Sequence, residues 1–100
     1  MGMAFEFEFT GELIEWRGPA PFYFVPMPVE MSAEIKALAK TLSYGWGVVP
    51  VLARIGQTDF TTSLFPRDGV FMVPIKDAVR RVNTIAVGEA VSVWLVLGRA

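Results

Sequence analysis

The sequence predicts a mostly-β domain, a small closed or half-closed barrel of about six strands with two short helices. Short apolar runs, either alternating or continuous, recur between turn signals. Two segments have apolar residues at helical spacing, and both are brief. Hydrophobic residues make up 53% of the 100 residues, which is enough to fill a core, and we expect a single domain over residues 1–100.

The first strand is predicted from the segment FEFEF, whose phenylalanines alternate with glutamates and therefore line one face. The alternation then changes phase, because Leu13 and Ile14 are adjacent apolar residues. A bulge or a strong twist near Gly11 would account for this change. A second strand is predicted over residues 22–25, and it ends at Pro26 because proline cannot donate a ladder hydrogen bond.

The first helix is predicted to begin at Ser32, which we expect to be its N-cap. Its apolar residues fall at i, i+3, i+4 and i+7 from Ile35, so one face packs and the other is solvated. Lys36 and Lys40 are interpreted as part of the ordinary charged surface. The glycines on either side of Trp46 end the helical pattern.

A β-hairpin is predicted over residues 48–65, with a two-residue loop at 56–57. A loop of this length fixes the register, so that Arg54 faces Asp59. We expect these two side chains to form an exposed cross-strand ion pair.

The remaining predicted elements are a turn at 66–69, a strand over 70–75, a short helix and a last strand over 90–97. Asp77 is expected to cap the short helix at its N-terminus. Val79 and Val82 are expected to face the core from this helix, with its arginines facing out.

Composition excludes several classes of function. The chain has no cysteine and no histidine, which removes thiol, disulfide and zinc chemistry and the usual proton shuttle at neutral pH. We therefore expect no metal, no cofactor and no catalytic residues. The net charge of -1 provides no long-range attraction for nucleic acid or an anionic membrane. Apolar stretches are too short for a membrane span, and glutamates interrupt the N-terminal apolar segment, so we expect a cytoplasmic protein.

One group of residues is a candidate ligand site at the barrel mouth. Its members are the cations Arg67, Lys76 and Arg80, the hydroxyl of Ser63 on the preceding strand, and the aromatic side chain of Trp46. Cations next to the free N–H groups of a helix start favour a small anionic ligand. The alternatives are that the cations pair with neighbouring aspartates and that the tryptophan packs in a helix-to-strand corner.

The chain contains, in order, the segments FEFEFTGELIEW, FYFVPMP, VPVLARIGQTDFTTSLFPRDGVFMVPIKDAVRR and VGEAVSVWL. Together they resemble an uncharacterised bacterial family, the domain of unknown function 1905, over nearly the whole chain. The resemblance implies a double-split β-barrel that is distantly similar to the AbrB and MazE group of transcriptional regulators. Some members are fused to a domain described as involved in bacteriocin protection. The family has no established activity, so no site residues can be carried over from it.

These observations predict a non-enzymatic module that binds a small anionic ligand or a protein partner. The alternative is an AbrB-like homodimer that acts on DNA, although the balance of charges argues against it. A weak enzyme centred on Lys76 is a third hypothesis. Open barrel edges and a surface with few charges favour a homodimer.

Overall fold

An antiparallel sheet that curls into a half-closed barrel carries both helices. The structure, a computed structural model, describes residues 5–17, 22–41 and 48–98. The elements in chain order are β1 (Glu6–Glu12), β2 (Ile14–Trp16), β3 (Phe22–Pro26), α1 (Val29–Thr41), β4 (Val49–Ile55), β5 (Thr58–Arg67), β6 (Val70–Ile75), α2 (Asp77–Val82) and β7 (Ala90–Leu97). The predicted mostly-β fold with two short helices is confirmed, and the sheet has seven strands because the first predicted strand is divided at Leu13.

The division at Leu13 brings the two edges of the sheet together. The strand order is β1-β7-β4-β5-β6-β3-β2, so β1 and β2 stand at opposite ends although one residue separates them in the chain. The N–H of Leu13 donates to the carbonyl of Glu89 at 2.9 Å, and its carbonyl accepts from the N–H of Gly88 at 2.8 Å. After this last contact with the turn before β7, the chain pairs with β3. The barrel is thereby half closed.

β5 makes a similar change of partner elsewhere in the sheet. Residues 58–64 of β5 pair with β4, whereas residues 65–67 pair with β6. The sheet therefore has two parts, one that contains β7 and β4 and one that contains β6 and β3. The β1–β2 segment and β5 each run from the first part into the second. The half-closed barrel expected from the sequence is confirmed. The double-split form implied by the family resemblance stays a prediction.

The predicted alternation decides which side chains fill the barrel. In β1, Phe7 and Phe9 are buried, and Glu8 between them is exposed. The hairpin of β4 and β5 has the predicted register, including the pairing of Arg54 with Asp59. Each helix adds one buried apolar side chain to the core, Ile35 from α1 and Val79 from α2.

The predicted N-cap of the first helix is wrong. α1 begins at Val29, and Ser32 lies inside it, where its N–H donates to the carbonyl of Pro28 at 2.9 Å. The side chain of Ser32 is buried, and its Oγ accepts a hydrogen bond of 3.0 Å from the backbone N–H of Phe71 in β6. This hydroxyl therefore ties α1 to the sheet instead of capping the helix.

The predictions for the second helix also need correction. Lys76 occupies the N-cap position of α2 without a side-chain capping bond, and Asp77 is the first helical residue. The carboxylate of Asp77 pairs with arginines of the same helix instead. The sequence predicts that Val82 faces the core, but its side chain is 72% exposed. Because α2 has only six residues, it turns one apolar side chain, Val79, fully toward the core.

Candidate functional site

The structure separates the residues that the sequence suggested as one site. Lys76 and Arg80 line one cavity beside α2. Arg67 lines a different cavity on the sheet. Ser63 is half-buried on β5, and Trp46 lies outside the described residues.

Arg67 and Arg80 pack on opposite faces of the same part of the sheet. The guanidinium carbon of Arg67 lies 3.8 Å from the ring centre of Trp16. Trp16 pairs with Phe22 in the β2–β3 register, so these two rings share a face. The guanidinium carbon of Arg80 lies 4.4 Å from the ring centre of Tyr23, the next residue along β3. Successive residues of a strand point to opposite faces, which places the two arginines on different sides of the sheet.

A cavity of about 660 Å³, here called the α2 cavity, lies between α2 and the adjoining ends of β3 and β6. Residues three and four apart are neighbours on a helix surface, so the short segment from Lys76 presents several charged side chains together. The strands supply aromatic and apolar walls. The lining residues are Phe22, Tyr23, Pro74, Ile75, Lys76, Asp77, Arg80 and Arg81.

Asp77 holds two of the cations of the α2 cavity in place. Its Oδ1 lies 2.7 Å from Nη2 of Arg80, and its Oδ2 lies 2.7 Å from Nε of Arg81. Because both carboxylate oxygens are used, the two guanidinium groups are oriented by one residue. The positive charge of the lining exceeds the negative charge even with Asp77 included.

Arg80 is the most enclosed of these cations. The hydrogen bond to Asp77 raises the pKa of Arg80 above its ordinary value, so its guanidinium stays charged. Its Nη1 donates to the carbonyl of Ile85 at 3.5 Å. Its Nε is buried and has no hydrogen-bond partner in the part of the chain that the structure describes. The side chain is thus fixed against Tyr23 with part of its donor capacity unused.

Lys76 differs from the two arginines because it has no carboxylate partner. Its side chain is exposed at the cavity, and no ion pair joins it to any residue within 5–17, 22–41 or 48–98. An ammonium group with three donors is therefore free to meet a ligand. Sequence reasoning named Lys76 and Arg80, and it missed Tyr23 and Arg81, which line the same cavity.

A second surface, here called the outer aromatic face, lies on the side of the sheet where Arg67 packs. Trp16 is 44% exposed and Phe22 is 57% exposed, although both are large apolar side chains. Beneath them, the rings of Phe24 and Phe65 meet edge to face at 5.2 Å between centroids. Sequence reasoning assigned these aromatic residues to barrel strands. The signal it missed was that the phase change at the end of β1 turns Trp16 away from the core.

The described residues offer little for other chemistries. No group of three His, Cys, Asp or Glu side chains within them is close enough to hold a metal ion. Neither helix in these ranges has the length and hydropathy required to cross a membrane.

Comparison with known proteins identifies a family. The sequence model of a family described as "Domain of unknown function (DUF1905)" matches residues 9–95. A search of the curated proteins finds none that matches the chain. The matched range includes the whole lining of the α2 cavity and the outer aromatic face.

Proposed function

The chain belongs to the DUF1905 family, whose function is unknown, and we propose that it is a non-enzymatic binding module that takes a small organic anion into the α2 cavity. The ligand would place its anionic group at Lys76 and Arg80. A flat apolar part would lie against the apolar walls that β3 and β6 supply to the cavity. The volume of about 660 Å³ lies within the range of about 300–1,000 Å³ that is typical of small-molecule sites.

The main support for this proposal is the excess of positive charge in a cavity whose walls are partly aromatic. Lys76, Arg80 and Arg81 face it, and Asp77 is the one carboxylate among the lining residues. A hydrogen bond to a charged group is worth about 1.5–3 kcal/mol, so an anion has much to gain at Lys76.

Preorganisation further supports the proposal. Asp77 and Tyr23 already hold the Arg80 side chain, so a ligand does not need to order it. Binding loses less side-chain entropy when the cation is fixed beforehand. Each guanidinium has five N–H donors, and the contacts to Asp77 leave several of them for a ligand.

Phenyl phosphate is a suitable probe because it joins a dianion to a flat ring. In calorimetric titration at low ionic strength, we expect it to bind one site per chain. Lys76→Gln should weaken binding by at least about tenfold, which corresponds to about 1.4 kcal/mol. Arg54→Gln removes the same charge from the hairpin, away from the cavity, and should leave binding unchanged. Absence of binding to the wild type, or equal affinity in Lys76→Gln, would contradict the proposal.

We propose that this module acts in the cytoplasm. The chain has no cysteine, as is common in reducing compartments, where disulfides are rare.

A second candidate function, binding of a second copy of this chain, is favoured by the outer aromatic face. Trp16 and Phe22 are adjacent in the β2–β3 register, and β2 is the last strand of the sheet order. Exposed neighbouring aromatic side chains at a sheet edge are typical of protein interfaces. No feature of the described residues favours the other alternative, a DNA-binding homodimer.

Light scattering across a concentration series tests this second candidate. We expect the mass to rise from monomer to dimer and the rise to be lost in Trp16→Ser. Val87→Ser changes an exposed apolar side chain elsewhere and should leave the rise intact. A wild-type mass that stays monomeric at every concentration would remove this candidate.

A further inference from the structure

A groove of about 610 Å³, here called the α1 groove, runs between α1 and the starts of β4 and β6. It is separate from the α2 cavity, because the two share no lining residue and lie at opposite ends of β6. Its lining residues are Val29, Ser32, Ala33, Lys36, Ala39, Lys40, Val48, Val49, Pro66, Gly69, Val70 and Phe71.

The floor of the α1 groove suits an apolar group. Most of the lining side chains are aliphatic or aromatic, and the buried hydroxyl of Ser32 already accepts from the N–H of Phe71. The carbonyl of Phe71 accepts from the N–H of Met27 at 2.9 Å. These polar atoms of the floor have partners, so the floor gains most from contact with hydrocarbon.

The rim of the α1 groove is positively charged. Lys36 and Lys40 lie four residues apart on α1, which makes them neighbours on the helix surface. Like charges at this spacing repel each other, and the lining of the groove contains no acidic residue. Neither lysine forms an ion pair with a residue that the structure describes. An anion at the rim would relieve this repulsion.

We propose that the α1 groove binds an amphipathic anion, such as a free medium-chain carboxylate. The hydrocarbon tail would lie along the floor formed by Ala33, Val70 and Phe71. The anionic head group would meet Lys36 and Lys40 at the rim. Charge complementarity selects this ligand class over a neutral or cationic amphiphile, and the apolar floor selects it over a small anion. This inference is independent of the α2 cavity.

Three probes separate the contributions of the tail and the head group. Decanoate has both features, acetate has the head group alone, and decyltrimethylammonium has the tail with the opposite charge. Titrated below the micellar range and followed by amide chemical shifts, decanoate should bind one site per chain and shift residues of α1 and 69–71. Acetate should not bind. Decyltrimethylammonium should bind at least tenfold more weakly than decanoate.

Two variants test the site independently, one by removing the charge of the rim and one by filling the groove. Lys36→Gln with Lys40→Gln should weaken decanoate binding at least tenfold, whereas Arg54→Gln should not alter it. Ala33→Phe keeps both lysines but fills the groove from an exposed helical position, and it should abolish binding while the unfolding transition remains cooperative.

Several results would overturn this inference. Failure of decanoate to bind would show that the lysine side chains merely cover the groove with their own hydrocarbon stems. Equal binding of the cationic amphiphile would exclude recognition of the head group. Shifts centred on residues of the α2 cavity would place the amphiphile in the other site.

Discussion

Gly11 permits the close approach of β1 to β3, and its replacement by alanine tests how tightly the barrel closes. Gly11 pairs with Val91 of β7 on one side. A Cβ atom at this position would lie 2.7 Å from the carbonyl oxygen of Pro26 and 2.8 Å from Cγ1 of Val25. Both distances are shorter than 3.0 Å, and Cβ atoms are essentially never found that close to another heavy atom. Because the oxygen belongs to the backbone, β3 itself would have to move.

The size of the effect follows from two opposing contributions. Overpacking by one methyl group at a closely packed site costs about 1–3 kcal/mol. Alanine also leaves the unfolded chain fewer conformations than glycine does, which stabilises the folded state by about 0.4–1 kcal/mol. The difference between these two contributions is a net loss of up to about 2.6 kcal/mol, with a central value of about 1.3 kcal/mol, which lowers Tm by about 5–10 °C for a domain of this size.

Thermal and urea unfolding, followed by circular dichroism, would measure this loss. Glu12→Ala is the matched control, since Glu12 is the next residue of β1 and its side chain is exposed. The control should stay within about 0.5 kcal/mol of the wild type. If Gly11→Ala were as stable as the wild type or more stable, β1 and β3 would not approach as closely as the structure shows.

Three further predictions concern the ion pair and the helices. The hydrogen bond from Arg54 lowers the pKa of Asp59. The ion pair therefore stabilises the folded state fully above the ordinary aspartate pKa of about 3.9, and this stabilisation is lost as pH falls through the lowered pKa of the folded state. The Tm difference between the wild type and Asp59→Asn should therefore be present at neutral pH and vanish in acid, and a difference that persists at the lowest pH would contradict the assignment. Ser32→Ala should cost about 1–3 kcal/mol in urea unfolding, since it leaves a buried amide without an acceptor, and a neutral effect would refute that hydrogen bond. Val79→Ala should lower the free energy of unfolding by about 2 kcal/mol, because two buried carbon atoms are lost and a cavity remains. Val82→Ala, at an exposed position, should change it by less than about 0.5 kcal/mol. Equal losses in the two variants would show that both valines face the core.

The sheet was predictable from the sequence wherever local geometry decides the outcome. The two-residue loop after Ile55 leaves one register for the hairpin, and the observed pairing of Arg54 with Asp59 follows from it. The irregularity of the first strand was also visible as a change of phase. Its position was not, because the break at Leu13 depends on where β3 replaces β7, a strand distant in sequence, as the pairing partner.

The predicted capping roles of Ser32 and Asp77 are wrong, because other groups compete for these two side chains. Ser32 has the right chemistry for an N-cap, but its hydroxyl accepts from an amide of β6. Asp77 has the right chemistry too, and its carboxylate is held by Arg80 and Arg81. For Ser32 the competing partner is one that only the folded structure supplies, whereas the partners of Asp77 lie three and four residues away on the same helix.

The candidate site was predictable in part. Lys76 and Arg80 meet at one cavity because they are four residues apart around the start of a helix. Arg67 is close to them in the sequence, but β6 lies between, and the pleat directs the side chains of Arg67 and Arg80 to opposite faces of the sheet. Lys36 and Lys40 have the pattern of an ordinary charged helix surface, and the apolar groove beside them becomes visible only when β6 is placed.

The pairing of β1 with β7 has a consequence for how the chain acquires its fold. Glu12 pairs with Ala90, so this contact has a very long sequence separation and raises the contact order of the domain. Non-local strand pairing of this kind is associated with folding in milliseconds to seconds. During synthesis at about 5–20 residues per second, β1 would wait roughly 4–16 s for its partner strand to be made. Glu6 and Glu8 lie between the phenylalanines of β1, and we expect their charges to oppose aggregation of this strand before the barrel forms.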